Sequence, residues 1–379
     1  SGIDYGLSLD PNDANFAFAY VRYVLPNTSA SANGVTRGMF FNTINDERLT
    51  TTANGDGTYS LSARSRELLN LDSYTIALAE FDSNDDLQPT GVEIDLTQEG
   101  YTENPVFIAK TLDIDGSKIG YLMYNAYRRN FDSELNAAFA QFQADGVTDL
   151  VLDLRYNGGG SVETAIDLTS MITGQFNGEI ITKQQWNPEI QAAFEAEEPD
   201  ALIDRFDNTI SDGSLINSLN LSRLFVIGTG STASASELTI IGLQPYIDVQ
   251  TVGTTTVGKF QASITLYDSE TFRRNDETLN PSHFYAIQPL VYTYANADDI
   301  IGPPAGITPD FELREDISNL GTLGAPDEPL LSLALDQILG RSYSSKSKAG
   351  TVFDFIGERE NQNTTYQRMY IEDLPDRLK

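Results

Sequence analysis

The sequence predicts an α/β protein in which a core with a mainly parallel sheet follows a small β-rich module. In the first 100 residues, short alternating segments such as "FAFAYVRYVL" and "YTIALAEF" are separated by turn residues such as "NGDG". Further along the chain, strand-like and helix-like segments alternate, as they do in a parallel sheet covered by helices. The glycine and proline of "TQEGYTENP" place the boundary between the two patterns near residue 100.

The elements of the core follow one another in a regular order. "KIGYLMYNAY" predicts a strand, and "DSELNAAFAQFQADG" predicts a helix with Asp132 at its cap and Gly146 past its end. "VTDLVLDLRYNGGG" predicts a buried strand that runs into a glycine loop, and "SVETAIDLTSMITG" predicts a second capped helix. "LSRLFVIGT" and "SASELTIIGLQPY" predict the next strand and helix, and "VQTVGTTTVGKFQASITLY" contains one or two further strands.

These patterns divide the chain into three consecutive ranges. Residues 1–100 form the β-rich module, which contains one or two helices, one of them in "SARSRELLNL". Residues 101–340 form the α/β core. Residues 341–379 are a C-terminal extension whose apolar positions show no period, so their structure cannot be predicted.

Composition excludes several classes of function. The 379 residues carry a formal net charge of −31, which disfavours a nucleic-acid partner because a polyanion would be repelled. The absence of cysteine excludes disulfides, thiolate metal sites and a cysteine nucleophile. No apolar run is long enough for a transmembrane segment, and we expect no metal and no cofactor. The opening "SGIDYGLSLD" has neither a basic leader nor an apolar stretch, so we expect that a targeting segment has been removed.

The segment "GSTASASELTIIGLQP", residues 230–245, crowds hydroxyl side chains around a predicted helix start. Ser234 and Glu237 have the spacing of a capping box, in which the serine only satisfies backbone donors. Ser234 is also a candidate nucleophile, because the positive end of a helix favours an alkoxide or an oxyanion. The N–H of Ala235 would then donate to the oxyanion. Both interpretations can hold together, with Glu237 supporting the helix start.

The loop "DLRYNGGG", residues 153–160, places three glycines directly after a strand. Glycine allows the backbone to approach a ligand closely and to turn its N–H groups outward. Gly159, or else Gly160, is therefore the candidate for the second oxyanion donor. A tight turn without a ligand and a phosphate cradle are the alternatives, although the lysine and hydroxyl residues of a P-loop are missing.

A serine nucleophile needs a base. The chain has one histidine, His283, next to proline and aromatic residues, and seven lysines. Lys259 stands out because "TVGKFQASITL" suggests a partly buried strand, and burial lowers the pKa of a lysine. A neutral lysine can accept the serine proton. Strict alternation would put Lys259, Gln261 and Ser263 on one face, with Gln261 or Ser263 orienting the lysine. An exposed lysine on an edge strand is the alternative.

Taken together, these segments resemble the C-terminal processing peptidases, also called tail-specific proteases, a family of serine peptidases. "STASASE" (231–237) resembles the family's nucleophile motif, and "GTTTVGK" (253–259) resembles its lysine motif. The spacing of Ser234 and Lys259, "DLRYNGGG" (153–160) and "GITPD" (306–310) agree with the family pattern. The resemblance implies a crotonase/ClpP-like core and a Ser-Lys dyad that cleaves polypeptides through an acyl-enzyme, near their unstructured C-termini or guided by them. Many members place a glutamine four residues after the lysine, where this chain has Ser263.

The N-terminal module resembles the PDZ domain that these peptidases usually carry. The similarity lies in "VRYVLPNTSASANGVTRGMFFNTIN", residues 21–45, in which Met39 replaces the usual aspartate. The resemblance implies that "YGLSL", residues 5–9, binds a peptide by strand addition, with the peptide carboxylate near the N–H groups of Gly6 and Leu7. It also implies secretion to a bacterial cell envelope.

Two other functions remain possible on the same scaffold. A non-catalytic peptide- or lipid-binding protein would not need both Ser234 and Lys259. A crotonase-like acyl-CoA enzyme would use a glycine-loop oxyanion hole without this pair and without a PDZ module. The sequence does not identify the physiological substrate or the oligomeric state.

Overall fold

The computed structural model describes residues 1–84, 86–342, 353–359 and 367–371. The chain forms two compact units. The described residues of the first are 1–84, 86–103, 315–329 and 353–359, and those of the second are 104–314, 330–342 and 367–371. This division differs from the consecutive ranges expected from the sequence, because beyond residue 314 the chain contributes to both units in turn. Most of the expected extension, 341–379, lies outside the described residues.

The first unit is built mainly from antiparallel strands. Its elements before residue 100 are β1 (Ile3–Leu9), β2 (Ala17–Val24), α1 (Ser29–Ala32), β3 (Phe40–Ile44), β4 (Glu47–Arg48), β5 (Thr51–Ala53), β6 (Tyr59–Leu61), α2 (Ala63–Leu69), β7 (Ser73–Phe81) and β8 (Leu87–Thr97).

The second unit alternates strands and helices. Up to residue 338 its elements are β9 (Val106–Ile114), β10 (Ser117–Tyr124), α3 (Asp132–Asp145), β11 (Asp149–Asp153), β12 (Gly160–Ser161), α4 (Val162–Thr173), β13 (Ile180–Trp186), α5 (Pro188–Glu197), β14 (Ile203–Arg205), β15 (Arg223–Gly228), α6 (Ala235–Leu243), β16 (Asp248–Gly253), β17 (Gln261–Ile264), β18 (Leu266–Tyr267), β19 (Ala286–Ile287), β20 (Leu290–Asn296), β21 (Phe311–Glu312) and α7 (Pro329–Ile338). Two later strands follow, β22 (Phe355–Glu358) in the first unit and β23 (Met369–Ile371) in the second.

One large sheet organises the first unit. Its strands run in the order β22-β1-β2-β3-β7-β8, with β4 paired to β3. β1 and β2 are buried along nearly their whole length, and α2 contributes Leu68 and Leu69 to the same apolar cluster. Ser62 caps α2 by accepting from the N–H of Ser65 at 3.1 Å. The helix expected in "SARSRELLNL" is thus present.

A six-stranded sheet organises the second unit, in the order β21-β16-β15-β11-β10-β9. All its neighbouring strands are parallel except β9 and β10. β11 and β15 are buried and apolar because helices cover both faces of such a sheet. The mixed α/β class predicted from the sequence is confirmed. β11 and β15 are parallel neighbours, so the loops that follow them meet at one edge, where ligand sites form.

A second six-stranded sheet follows the order β12-β23-β17-β20-β13-β14. The tail strand β23 lies between β12 and β17 and runs parallel to both. It therefore connects the strand that contains Gly160 with the strand that follows Lys259. The sequence did not predict this strand, because three residues are too few for a periodic pattern.

The helix caps agree with the sequence at α4 and differ at α3. Ser161 caps α4, and Gly146 and Gly174 end α3 and α4 with positive φ. Asp132 is not the cap of α3: Phe131 takes that position without a side-chain bond, and Asp132 accepts from Thr164 Oγ1 at 2.8 Å.

Within the described part of the chain, no helix is both long enough and apolar enough to cross a membrane.

Candidate active site

Ser234 immediately precedes α6 in a strained conformation. Its φ of 67° and ψ of −116° lie in a region that costs a non-glycine residue about 1–3 kcal/mol. Its side chain is fully buried, and Oγ has no hydrogen-bond partner in the described part of the chain. The capping-box arrangement of Ser234 and Glu237 is present at the start of α6. Glu237 Oε2 accepts from the N–H of Ser234 at 2.8 Å.

The other hydroxyls of this segment fix it to the loop after β11. Thr232 Oγ1 donates to the carbonyl of Leu154 at 2.8 Å, and Ser236 Oγ donates to the carbonyl of Asn157 at 3.1 Å. The N–H of Ser231 donates to Thr229 Oγ1 at 3.2 Å. The crowding of hydroxyls is thus explained by local bonding, which leaves Ser234 Oγ as the one available for chemistry among these.

Lys259 lies just before β17 and is partly buried. The pKa of Lys259 is lowered to about 8, mainly by burial and also by the charge of Arg368, while the charge of Glu237 opposes the shift. Nζ donates to the carbonyl of Gln261 at 2.9 Å. In this structure the amine is therefore not bonded to Ser234 Oγ.

Glu237 connects the two candidate catalytic residues. Oε1 accepts from Thr256 Oγ1 at 2.5 Å and from the N–H of Gly258 at 2.6 Å. Oε2 accepts from the N–H of Ser234 and, at 2.9 Å, from the N–H of Lys259. One buried carboxylate thus holds the start of α6 and the lysine loop together, a role more specific than the helix support that the sequence predicted.

The "GITPD" segment forms hydrogen bonds both with this loop and with β16, the strand that precedes it. The N–H of Ile307 donates to Thr256 Oγ1 at 2.8 Å, and Asp310 Oδ2 accepts from the N–H of Thr251 at 2.7 Å. Gly306 has a φ of 90°, and a Cβ there would lie 2.0 Å from the carbonyl of Thr256. This close approach explains why a glycine stands at that position.

The predicted alternation after Lys259 is wrong, because Lys259 lies outside β17. Within β17, Gln261 is exposed whereas Ser263 is buried, and the register with β20 shifts between Ala262 and Ser263. Ser263 Oγ donates to the carbonyl of Met369 at 2.9 Å. Lys259 is thus held by the main chain of Gln261, and Ser263 bonds to β23 instead.

The glycine loop packs directly against the serine. Gly159 has a φ of 104°, and a Cβ on it would lie 2.6 Å from Ser234 Cβ. Its N–H donates to Asn157 Oδ1 at 2.8 Å, so this predicted oxyanion donor is engaged in this structure. Gly160 pairs with Met369 of β23. The N–H of Ala235 makes no hydrogen bond to any described residue.

Three residues that contact or influence the candidate site were missed by the sequence analysis. Asn157 engages Gly159, and its position inside "DLRYNGGG" was the available signal. Tyr294 OH donates to the carbonyl of Ser234 at 3.3 Å, and its strand carried no motif. Arg368, which lowers the pKa of Lys259, lies just before β23 in a part of the sequence that shows no periodicity.

Three other residues singled out from the sequence, His283, Gly6 and Leu7, lie in different surroundings. His283 bonds to Asp268 Oδ2 at 3.1 Å and, through Nδ1, accepts from the N–H of Tyr285 at 3.1 Å. It is not bonded to Ser234. Gly6 and Leu7 lie in β1 of the first unit, where β2 pairs on one side and β22 on the other.

The profile of peptidase family S41 matches residues 118–313, slightly more than half of the chain. The chain belongs to peptidase family S41. The matched range contains the glycine loop, Ser234, Glu237 and Lys259. The resemblance predicted from these segments is thereby confirmed.

Two curated relatives carry matching names. A carboxyl-terminal-processing protease of Picosynechococcus sp. is 28% identical over 166 residues, which cover 44% of this chain and 35% of the relative. A chloroplastic C-terminal processing peptidase of Tetradesmus obliquus is 25% identical over 154 residues, covering 38% of this chain and 29% of the relative. The matches thus span about a third of the length of these relatives.

A solved structure extends the likeness to most of the chain. A Bacteroides fragilis chain described as an S41 protease superposes with a TM-score of 0.69 at 25% identity. The match covers 89% of this chain and 82% of that one. The fold therefore agrees with that of an S41 protease well beyond the residues matched by the family profile.

Proposed function

We propose that this chain is a serine endopeptidase that cleaves polypeptides through an acyl-enzyme on Ser234, with Lys259 as the general base. One observation carries the proposal. A buried serine hydroxyl without a partner and a lysine with a pKa of about 8 are anchored on the same carboxylate, Glu237. A lysine with such a pKa is neutral often enough near neutral pH to accept a proton.

The reaction begins when Nζ of neutral Lys259 leaves the Gln261 carbonyl and turns toward Ser234 Oγ, a movement that its flexible stem permits. Oγ bonds to the scissile carbonyl carbon while Nζ takes the hydroxyl proton. The carbonyl oxygen becomes an oxyanion, to which the N–H of Ala235 donates. Rotation of the Asn157 side chain would release the N–H of Gly159 as the second donor.

The tetrahedral intermediate then collapses and the peptide C–N bond breaks. The Lys259 ammonium gives its proton to the leaving amine, so the base is regenerated. A water molecule, deprotonated by the same amine, attacks the ester carbonyl. The second tetrahedral intermediate collapses and releases a peptide carboxylate. Ser234 Oγ takes a proton from the Lys259 ammonium, which restores the hydroxyl and the neutral amine.

The substrates are polypeptides with unstructured C-termini, an inference supported by the names of the curated relatives. The N-terminal unit acts as a PDZ-type module that binds the substrate end along β1, near Gly6 and Leu7. The family resemblance also supports a location in a bacterial cell envelope.

The proposal is tested by incubating the full chain with an unstructured polypeptide and identifying the products by mass spectrometry. Ser234→Ala should lower the rate about 10⁴-fold or more. Its free energy of unfolding should change by less than about 1 kcal/mol, because Oγ makes no hydrogen bond that could be lost. Ser133→Ala, on the exposed face of α3, is the matched control. Undiminished cleavage by Ser234→Ala would refute the nucleophile, and an inactive wild type would favour a non-catalytic binding protein.

A further inference from the structure

The edge of β1 is already occupied by a segment of the chain itself. β22 pairs antiparallel with β1, placing Glu358 opposite Gly6 and Gly357 opposite Leu7. The N–H of Leu9 also donates to the carbonyl of Asp354 at 2.9 Å. Residues 353–359, here called the tail segment, thus use the backbone positions at which an added peptide strand would pair.

The tail segment lies in a groove whose other wall is α2. A cavity of about 780 Å³ is lined by Leu7 of β1, by Arg66 and Glu67 of α2 and by Ile356 of the tail segment. The groove therefore has space beside β22 for the side chains of an extended peptide. β1, α2 and the tail segment all contribute residues to the lining of this cavity.

A buried arginine links the tail segment to the sheet. Arg22 of β2 pairs with Asp4 Oδ1 at 2.5 Å and with Glu358 Oε2, and all three side chains are at most 3% exposed. Asp4 and Arg22 both belong to the sheet and balance each other's charge. Glu358 adds a second carboxylate to the same guanidinium.

The carboxylate of Glu358 has the chemistry of a peptide C-terminus. A guanidinium binds either carboxylate through the same planar donors. If the tail segment leaves the groove, Arg22 keeps its partner Asp4 and regains a place for one further carboxylate. The antiparallel direction of β22 brings the C-terminal end of an incoming strand to this place, because Glu358 near the end of β22 lies opposite Gly6 near the start of β1.

We propose that the tail segment is an internal, displaceable ligand of this groove, and that Arg22 recognises the carboxylate of the extended peptide that replaces it. The ligand class is a peptide with a free C-terminal carboxylate. The proposal rests on the proposed function, since it names the residue by which the same chain selects substrate ends. The proposal adds that a substrate peptide must compete with the tail segment for the same groove.

Peptide binding to the full chain tests this competition. In a Ser234→Ala background, which prevents turnover, a fluorescent unstructured peptide is compared with the same peptide carrying a C-terminal amide. Glu358→Gln should tighten binding of the free acid about tenfold or more, because a charge-assisted bond that holds the tail segment is weakened. Binding of the amide should stay weak. Asp354→Asn, which changes an exposed carboxylate of the same segment, should match the parent.

Hydrogen exchange gives a second readout that needs no change at the buried cluster. Saturating free-acid peptide should remove the protection of residues 353–359, while β2 keeps its protection. Unchanged protection of 353–359 in the bound state, equal effects of Glu358→Gln on acid and amide, or no peptide binding would each overturn the proposal.

Hydrolysis by the wild type is measured separately. A chain that hydrolyses polypeptides without displacing the segment refutes only this inference, and one that displaces it without hydrolysis refutes only the proposed function.

Discussion

Gly159 shows how a single residue limits the geometry of the site. Its positive φ and its contact with Ser234 leave no room for a Cβ, which would lie 2.6 Å from Ser234 Cβ and 3.0 Å from the nitrogen of Ala235. Ser234, the proposed nucleophile, is therefore in direct contact with the loop that we propose supplies an oxyanion donor.

Gly159→Ala should lower kcat about 10²–10³-fold, because the added methyl group must move either Ser234 or the donor loop. KM should change much less than kcat. Steady-state kinetics on a peptide substrate provide the measurement. Gly116→Ala is the matched control: Gly116 also has a positive φ, 84°, but a Cβ there meets nothing within 4 Å. Equal kinetic losses in both variants would show that backbone strain, and not contact with Ser234, causes the effect.

At the scale of elements, Glu237 joins α6 to the loop before β17. Glu237→Gln replaces one carboxylate oxygen by an amide that cannot accept, so two of the four donors lose their partner. We expect a loss of about 2–4 kcal/mol in the free energy of unfolding and a fall in kcat. Denaturant unfolding and kinetics measure the two effects. Glu134→Gln, on the exposed face of α3, is the control and should change neither the free energy of unfolding nor kcat. A Glu237→Gln variant as stable as the wild type would contradict the role assigned to Glu237.

The tail strand β23 affects the chemistry through the residue before it. Arg368 lowers the pKa of Lys259, so Arg368→Gln should raise that pKa and move the alkaline rise of activity to higher pH. The pH dependence of kcat/KM measures the shift. Arg274→Gln, an exposed arginine outside β23, is the control. A profile that moves to lower pH, or that moves equally in both variants, would refute this influence.

For the molecule as a whole, the core and its site were largely predictable from the sequence. The buried apolar runs of β11 and β15 and the capped helix α4 have strong local signals. The glycine loop follows β11, while Ser234 lies just before α6 and Lys259 shortly before β17. Local signals did not reveal that Lys259 bonds to the carbonyl of Gln261, or that Asn157 engages Gly159. Both depend on rotamers and on contacts between distant segments.

The course of the tail could not be predicted for a different reason. β22 and β23 are short strands whose stability comes from β1, β12 and β17, which are distant in sequence. Glu358 is buried only because Arg22 and Asp4 are already placed by the first sheet. The apolar residues of the C-terminal extension show no period, so the sequence predicted no regular element there. The tail nevertheless contributes one strand to each unit.

The proposed dyad is tested most directly by the pH dependence of phosphonylation of Ser234 Oγ, a reaction that displaces fluoride from the reagent. The full chain is treated with a small fluorophosphonate probe across the neutral and alkaline range, and the labelled residue is located by mass spectrometry. Label should appear on Ser234, with a rate that rises around the pKa of Lys259, about 8, as the amine loses its proton. Lys259→Ala and Lys259→Arg should lose labelling, since arginine stays charged, and His283→Ala should keep it. A rate independent of pH, or wild-type labelling of Lys259→Arg, would contradict lysine as the base.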